Sequence, residues 1–280
     1  MFFCRRRSIL AGLLAAWVAV TVLPWAPRAA FALDVWQEST QAGAKVSQEG
    51  RYAEAEEHFK LALREAEKSG PEDKRLPISL RNLADVYRDQ GRLDEAKPLY
   101  ERSLALLEQA LGPEHPAMTA SLNNLAALYR AQAKYPDAES LCQRALSIDE
   151  KAMGADHPVV ATDLTNLAGV YDIQGRYAEA APLYERALRI REKALGPDHP
   201  DVAQTLNNLA GVYRSQGRVA EAEPLVKRAL AIRERVFGPE NITVAQTLEN
   251  YAVLLRQSNR ESEADAMGAR AKEIRAKAGR

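Results

Sequence analysis

Residues 112–153 read GPEHPAMTASLNNLAALYRAQAKYPDAESLCQRALSIDEKAM. Residues 154–195 read GADHPVVATDLTNLAGVYDIQGRYAEAAPLYERALRIREKAL. Both open on Gly-x-x-His-Pro and keep Leu, Ala and Asn at matching places. The same opening recurs as GPDHP from Gly196 and GPENI from Gly238, and Gly70-Pro71 extends the series one step back, always 42 residues apart. Leu80, Leu122, Leu164, Leu206 and Leu248 share this period, as do Ala96, Ala138, Ala180, Ala222 and Ala264. A period of this size marks a repeat architecture. A first unit, 33–69, fits less well and is one residue out of step. The chain thus divides into units at about 33–69, 70–111, 112–153, 154–195, 196–237 and 238–280.

Each unit reads as two helices. Leu80, Leu83, Ala84 and Tyr87 follow the i, i+3, i+4, i+7 spacing of one helical face. Gly91 ends that helix. A second follows, with Leu93, Ala96, Leu99, Tyr100, Ser103, Leu104 and Leu107 on its inner side. Gly112 suits a left-handed C-terminal cap and Pro113 cannot continue the helix. Pro116 stands near the next helix start, where its missing N–H costs little. One hairpin cannot bury its own apolar face, so neighbours must stack into an all-α solenoid. The last unit has Gly268 where others carry Tyr100 or Tyr184. Its polar end, EIRAKAGR, suits a terminal cap.

The run SLNNLAALYR…YPDAESLCQRALSIDE, with copies at 205–234 and 165–192, resembles tetratricopeptide repeats (TPRs). The 42-residue period and the LNNLA…GPDHP wording resemble the subtype found in kinesin light chains and bacterial relatives. The resemblance covers nearly all of 33–280. It implies a right-handed α-solenoid of about six helix-turn-helix repeats. The heptad segment that joins kinesin light chains to their heavy chains has no counterpart, which argues against a motor subunit.

Departures from the repeat are local. Ala133 stands where Gly91, Gly175 and Gly217 make the hairpin turn, and Asn259 does so later. A positive φ there costs Ala about 1 kcal/mol, and Asn tolerates it better. Pro98, Pro182 and Pro224 fall a few residues into the second helices and are expected to bend them.

The far face of each first helix is unlike an ordinary solvated face. Asn82, Asp85 and Asp89 lie opposite the core. The later copies are Asn124, Ala127, Ala131; Asn166, Gly169, Ile173; Asn208, Gly211, Ser215; and Asn250, Val253, Gln257. Small and apolar residues recur where charge is usual. Five Asn at one position are not explained by helix propensity. Side-chain amides offer donors and acceptors to a peptide backbone. In TPR proteins this face lines the concave surface, and by resemblance such Asn residues hold ligand main chain. Two readings stand: ligand contact and a structural ladder between helices. The candidate peptide-binding residues are Asn82, Asn124, Asn166, Asn208 and Asn250, flanked by Asn123, Asn207, Arg81, Arg88, Arg130 and Arg214. With Arg256 the rim leans basic, offset by Asp85, Asp89, Asp172 and Glu249. A segment with acidic residues, or a C-terminal carboxylate, is the expected kind of ligand.

The first 32 residues differ in kind. Arg5, Arg6 and Arg7 precede an apolar run from Ile9 to Val22, then Ala30-Phe31-Ala32. That order reads as a secretory signal peptide cleaved after Ala32, placing the protein in the periplasm or outside the cell. The alternative is an uncleaved anchor in the inner membrane, although the run is short of the ~20 residues that span a bilayer. Arg6 to Leu10 also fits the core of a twin-arginine signal, so the export route stays open. Removing 1–32 takes four Arg, no acid, and Cys4.

That leaves Cys142 alone, without a disulfide partner, as a buried small residue in the register of Tyr100, Tyr184 and Val226. His115, His157 and His199 recur in the loops. Successive repeats hold them too far apart to converge within ~2.1 Å of one metal ion, so each is expected to bond near its own helix start. No P-loop, G-x-S-x-G or H-E-x-x-H string occurs. A formal net charge of zero argues against nucleic acid. The sequence therefore predicts a non-enzymatic adaptor without cofactor, metal or small-molecule substrate. It would hold a protein or peptide in its groove, and touch a membrane only through an uncleaved signal. The alternative is a self-associating structural protein of the envelope.

Overall fold

A computed structural model describes residues 28–278. Among them the chain forms twelve α-helices and one 3-10 turn, with no strand. The helices pair as α1 (Arg28–Gln48) with α2 (Tyr52–Lys68), α3 (Arg75–Asp89) with α4 (Leu93–Leu111), and α5 (Thr119–Ala131) with α6 (Tyr135–Met153). Then α7 (Pro158–Ile173) pairs with α8 (Tyr177–Leu195), α9 (Pro200–Ser215) with α10 (Val219–Phe237), and α11 (Ile242–Gln257) with α12 (Glu261–Ala278). Each pair also packs on the next, giving a helical solenoid. The signal reading falls on 1–32, and residues 1–27 lie outside the described residues. No described helix is long and apolar enough to cross a membrane.

The hairpin turn is the same device each time. Arg92 N–H reaches the Tyr87 carbonyl and Gly91 N–H the Arg88 carbonyl, the crossed pair of a Schellman cap. Gly91 takes φ +77°, and Gly50, Gly175 and Gly217 take similar values. Ala133 and Asn259 are forced to φ +57° at the same point, and they are the non-glycine residues with positive φ among the described residues. At the other loop the three histidines act as helix caps. Nδ1 of His115, His157 and His199 accepts from Ala117, Val159 and Asp201 N–H, and Asn241 Oδ1 does the same for Thr243. Each satisfies a backbone donor that a helix start would leave free.

Pro98, Pro182 and Pro224 do not break α4, α8 or α10, which run through them. Each is the sixth residue of its helix and exposed, so the loss is one backbone bond on the solvent side.

The core is built from the periodic Leu, Ala and Tyr. Leu80, Leu122, Leu164, Leu206 and Leu248 are all fully buried, as are Ala96, Ala138, Ala180, Ala222 and Ala264. Truncating one such Leu to Ala costs about 2–5 kcal/mol. Arginines tie neighbouring repeats at the turns. Arg176 lies over the Tyr171 ring at 4.1 Å, pairs with Glu179 at 2.7 Å, and reaches Glu139 of the preceding repeat at 2.6 Å. Arg92 makes the corresponding contacts with Tyr87, Glu95 and Glu56.

The first helices form the inner side of the stack. Successive first helices touch: α3 with α5, α5 with α7, and α9 with α11. No comparable contact joins successive second helices among the described residues. The side on which neighbours approach most closely is the concave one, so the Asn-bearing face lies inside the curve.

Candidate peptide-binding face

On this face the Asn file is uniform in sequence and divided in structure. Asn124 donates Nδ2 to Asp85 Oδ1 at 2.8 Å, bridging α5 to α3. Asn250 donates to Asn207 Oδ1 at 3.1 Å, bridging α11 to α9. Asn208 accepts from Gln204 within its own helix at 2.9 Å. Asn82 and Asn166 make no side-chain hydrogen bond among the described residues. Asn123 donates to Asp163 Oδ1 at 2.5 Å, and its own Oδ1 is buried without a partner. The file therefore contains both ladder rungs and free amides.

The arginines divide in the same way. Arg88 is held by Asp85 at 3.3 Å and Asp89 at 2.9 Å. Arg256 is held by Asp265 at 3.1 Å. The Arg81, Arg130 and Arg214 side chains form no ion pair or hydrogen bond among the described residues. Arg130 lies across α7: a Cβ at Gly169 would stand 3.2 Å from its Nη1, so glycine there leaves room for the guanidinium.

Asp85 is not simply turned to solvent, as its place opposite the core implies. Its Oδ1 receives Tyr100 Oη, Asn124 Nδ2 and Arg88 Nη1. Tyr100 comes up from α4 between α3 and α5, and closes the notch between them. Burial pushes the Asp85 carboxyl above its ordinary range, with the Tyr100 bond and Arg88 working against it. The tyrosine is equally constrained, since burial and the adjacent Asp85 carboxylate drive its hydroxyl pKa upward.

Two later copies of this notch are open. Between α5 and α7 a space of about 20 Å³ is lined by Asn123, Ala127, Arg130, Cys142 and Asn166. Between α9 and α11 one of about 50 Å³ is lined by Asn207, Gly211, Arg214, Val226 and Asn250. These are equivalent positions two repeats apart. In both, Cys142 or Val226 replaces the tyrosine and Ala127 or Gly211 replaces the aspartate. Cys142 and Val226 are each 1% exposed. Burial pushes the Cys142 thiol up to about 12, which keeps it protonated and inert. Between the two lies a closed notch, where Tyr184 rises beside Asp172, Arg130 and Asn208. Burial drives its hydroxyl up to about 12, with the Asp172 charge adding to the shift.

The rest of the inner floor is small or apolar. Ile173 is 53% exposed and Val253 38%. No atom outside the helix lies within 4 Å of a Cβ placed on Gly211. A wider cavity of about 650 Å³ lies elsewhere, at the loop edge between α3, α4 and the turn Pro116–Met118, and contains one of the candidate residues, Arg81.

The family model for the tetratricopeptide repeat matches residues 40–109, 75–151, 117–193, 173–233 and 201–277, nearly the whole chain.

The chain belongs to the tetratricopeptide-repeat family.

No curated protein sequence matches this TPR chain. Solved structures do. BtubC (BKLC) from P. vanneervenii is 23% identical over 89% of this chain and 92% of that one, with a TM-score of 0.65. A Podosopora anserina putative kinesin light chain with nearly identical TPR-like repeats is 28% identical over 75% and 98%, with a TM-score of 0.62. A Rap protein complexed with Competence and Sporulation Factor is 15% identical over 87% and 75%, with a TM-score of 0.59. Kinesin-light-chain-like TPR proteins are thus among the structural neighbours.

One polar site in this TPR stack escaped the sequence reading. Arg191 Nη1 donates to Thr205 Oγ1 at 2.6 Å, and Arg233 to Thr247 at 2.7 Å, each from a second helix to the next first helix. One repeat earlier the same two positions are Asp149 and Asp163, 1% and 0% exposed. Each leaves Oδ2 without a partner. Burial, opposed by the Asn123 bond and reinforced by Asp149, pushes the Asp163 carboxyl up to about 7. Asp163 therefore holds its proton far above the ordinary carboxylate range.

Proposed function

We propose that this protein is a scaffold that holds an extended segment of a partner protein in its concave groove and performs no chemistry. The observation that carries this reading is the set of free polar groups on an otherwise small-residue floor. Arg130, Arg214 and Asn166 face the groove without partners, while their copies in neighbouring repeats are tied down. TPR folds commonly mediate protein–protein interaction, and the Rap neighbour is complexed with Competence and Sporulation Factor. The groove suits the same use here. The amides of Asn82 and Asn166, which bridge no helices, would contact the ligand main chain.

The test is a peptide selection on the full chain from a displayed library. Gly211→Trp blocks the floor, and a Cβ built at Gly211 meets no atom within 4 Å, so the side chain starts into open space. Selected peptides should lose binding to this variant while its melting temperature holds. Peptides that bind both proteins equally would sink the reading.

We further propose that the protein is exported and cleaved after Ala32. The support is the order Arg5-Arg6-Arg7, apolar run, Ala-x-Ala. Cell fractionation with N-terminal sequencing decides it. A start at Leu33 in the periplasm or medium is expected, and an intact N-terminus in the membrane fraction would replace export by anchoring.

A second reading, self-association, has one observation in its favour. Leu111, Met153, Leu195 and Phe237 end successive second helices and are 41–50% exposed, forming an apolar row along one edge. Light scattering checks it, since ordered oligomers that dissociate on Met153→Glu with Leu195→Glu would support this edge as an interface.

A further inference from the structure

Asp85 shows what a carboxylate does at this station of the repeat. It sits in the angle between two first helices, taking one bond from Arg88 on its own helix and one from Asn124 on the next. Arg130 with Asn166 repeats that donor pair one repeat further on, and Arg214 with Asn250, whose amide also bonds Asn207, does so three repeats further on. There the internal carboxylate is missing, because Ala127 and Gly211 occupy its place, and the tyrosine that closes the notch is missing too. The intervening station is reversed. Asp172 stands where Arg130 and Arg214 stand, Tyr184 and the Arg130 guanidinium take up the space over Gly169, and the Asp172 side chain forms no hydrogen bond or ion pair among the described residues. The terminal stations are already satisfied by the protein's own acids, Asp85 and Asp89 at one end and Glu261 and Asp265 at the other. The central window is therefore positive, negative, positive.

Neighbouring first helices pack at ~9 Å, and an extended chain advances ~3.3 Å per residue. One repeat thus corresponds to about three ligand residues. We propose that the groove selects an extended segment of the form Asp/Glu-x-x-Lys/Arg-x-x-Asp/Glu, the outer carboxylates entering the Arg130–Asn166 and Arg214–Asn250 notches and the central cation meeting Asp172. The pattern is the same read in either direction, so it does not depend on ligand polarity. This inference rests on the groove reading given above and specifies its ligand.

The test uses amidated Ser/Gly peptides that carry Asp, Lys or Ser independently at each of positions i, i+3 and i+6, in every combination, titrated against the full chain by fluorescence anisotropy. Asp-Lys-Asp has the same composition as Asp-Asp-Lys and Lys-Asp-Asp, so net attraction cancels in the comparison. The expected result is that Asp-Lys-Asp binds about tenfold more tightly than either. Asp172→Lys should move the preference to Asp-Asp-Asp. Circular dichroism guards against misfolding, and Asp172→Asn, which should erase the central preference, is the gentler second variant. Equal binding of the three isomers overturns the proposal. So does failure of all of them while display-selected peptides still bind in a Gly211-dependent way, an outcome that leaves the groove reading intact. A free C-terminal carboxylate outbinding Asp-Lys-Asp would likewise replace the internal pattern by end recognition.

Discussion

The side-chain amide of Asn124 donates to the Asp85 carboxylate of the preceding repeat across 2.8 Å, whereas Asn166, its copy one repeat later, has no partner of this kind. The same residue in the same register is a rung of the stack in one repeat and a free group in the next.

That contrast separates stability from binding. Asn124→Ala leaves a half-buried carboxylate short of a donor and should cost about 1–2 kcal/mol of stability. Asn166→Ala should change stability by less than about 0.5 kcal/mol and weaken peptide binding. Thermal melts and anisotropy on the two variants check both halves. Equal destabilisation by both would make the whole file a ladder.

Cys142→Tyr restores the residue that closes the equivalent notches at Tyr100 and Tyr184. The hydroxyl should enter the space beside Arg130 and Asn166. The fold should persist, and ligand affinity should fall about tenfold, roughly 1.4 kcal/mol. Unchanged affinity in a folded Cys142→Tyr protein would show that this notch takes no part.

Ala133 holds φ +57° in a turn that elsewhere uses glycine. Ala133→Gly removes that strain and should stabilise the protein by about 1 kcal/mol, raising the melting temperature by about 2 °C. Asn259→Gly should gain less, because Asn adopts this region more readily. An unchanged or lower melting temperature for Ala133→Gly contradicts the strain argument.

The Asp149–Asp163 pair makes stability depend on pH. Asp163 titrates near 7 in the folded chain, against about 3.9 unfolded. The folded state holds the extra proton, so the stability is fully present below about pH 4 and is lost as pH rises through about 7. Glu223, held down to about 2 by Lys227 and Arg260, acts in the opposite sense but only in stronger acid. The melting temperature should therefore fall between about pH 4 and about pH 7 and level off above that. Asp149→Arg with Asp163→Thr, which recreates the Arg191–Thr205 link, should flatten that fall and raise stability at the alkaline end. A profile that keeps its slope in this double variant contradicts the assignment.

The repeat itself was legible because its signals are local. Gly91, Gly175 and Gly217 mark a turn whose chemistry needs positive φ, so Ala133 and Asn259 stand out at once. His115, His157 and His199 sit two residues before the N–H groups they cap. The candidate face was legible as a face, since Ala127, Gly169 and Gly211 recur on one side of a helix. What each Asn does was not, because its partner lies on the next helix: Asp85 for Asn124 and Asn207 for Asn250 are about one repeat away in sequence. The acid pair stayed hidden for a related reason. Asp149 and Asp163 fall in different columns of the 42-residue alignment, and only the packing of α6 on α7 joins them.

The most direct measurement of the groove assignment is site-specific photocrosslinking in the native cell. A photoreactive amino acid is placed in the full chain at Ala131 or Ser215 on the inner face, or at Arg189 on the exposed side of α8. A discrete crosslinked partner from positions 131 and 215, absent at 189 and lost on Gly211→Trp, is the expected result. Crosslinks at position 189 alone, with the inner positions silent, would contradict the assignment of the concave face as the binding site.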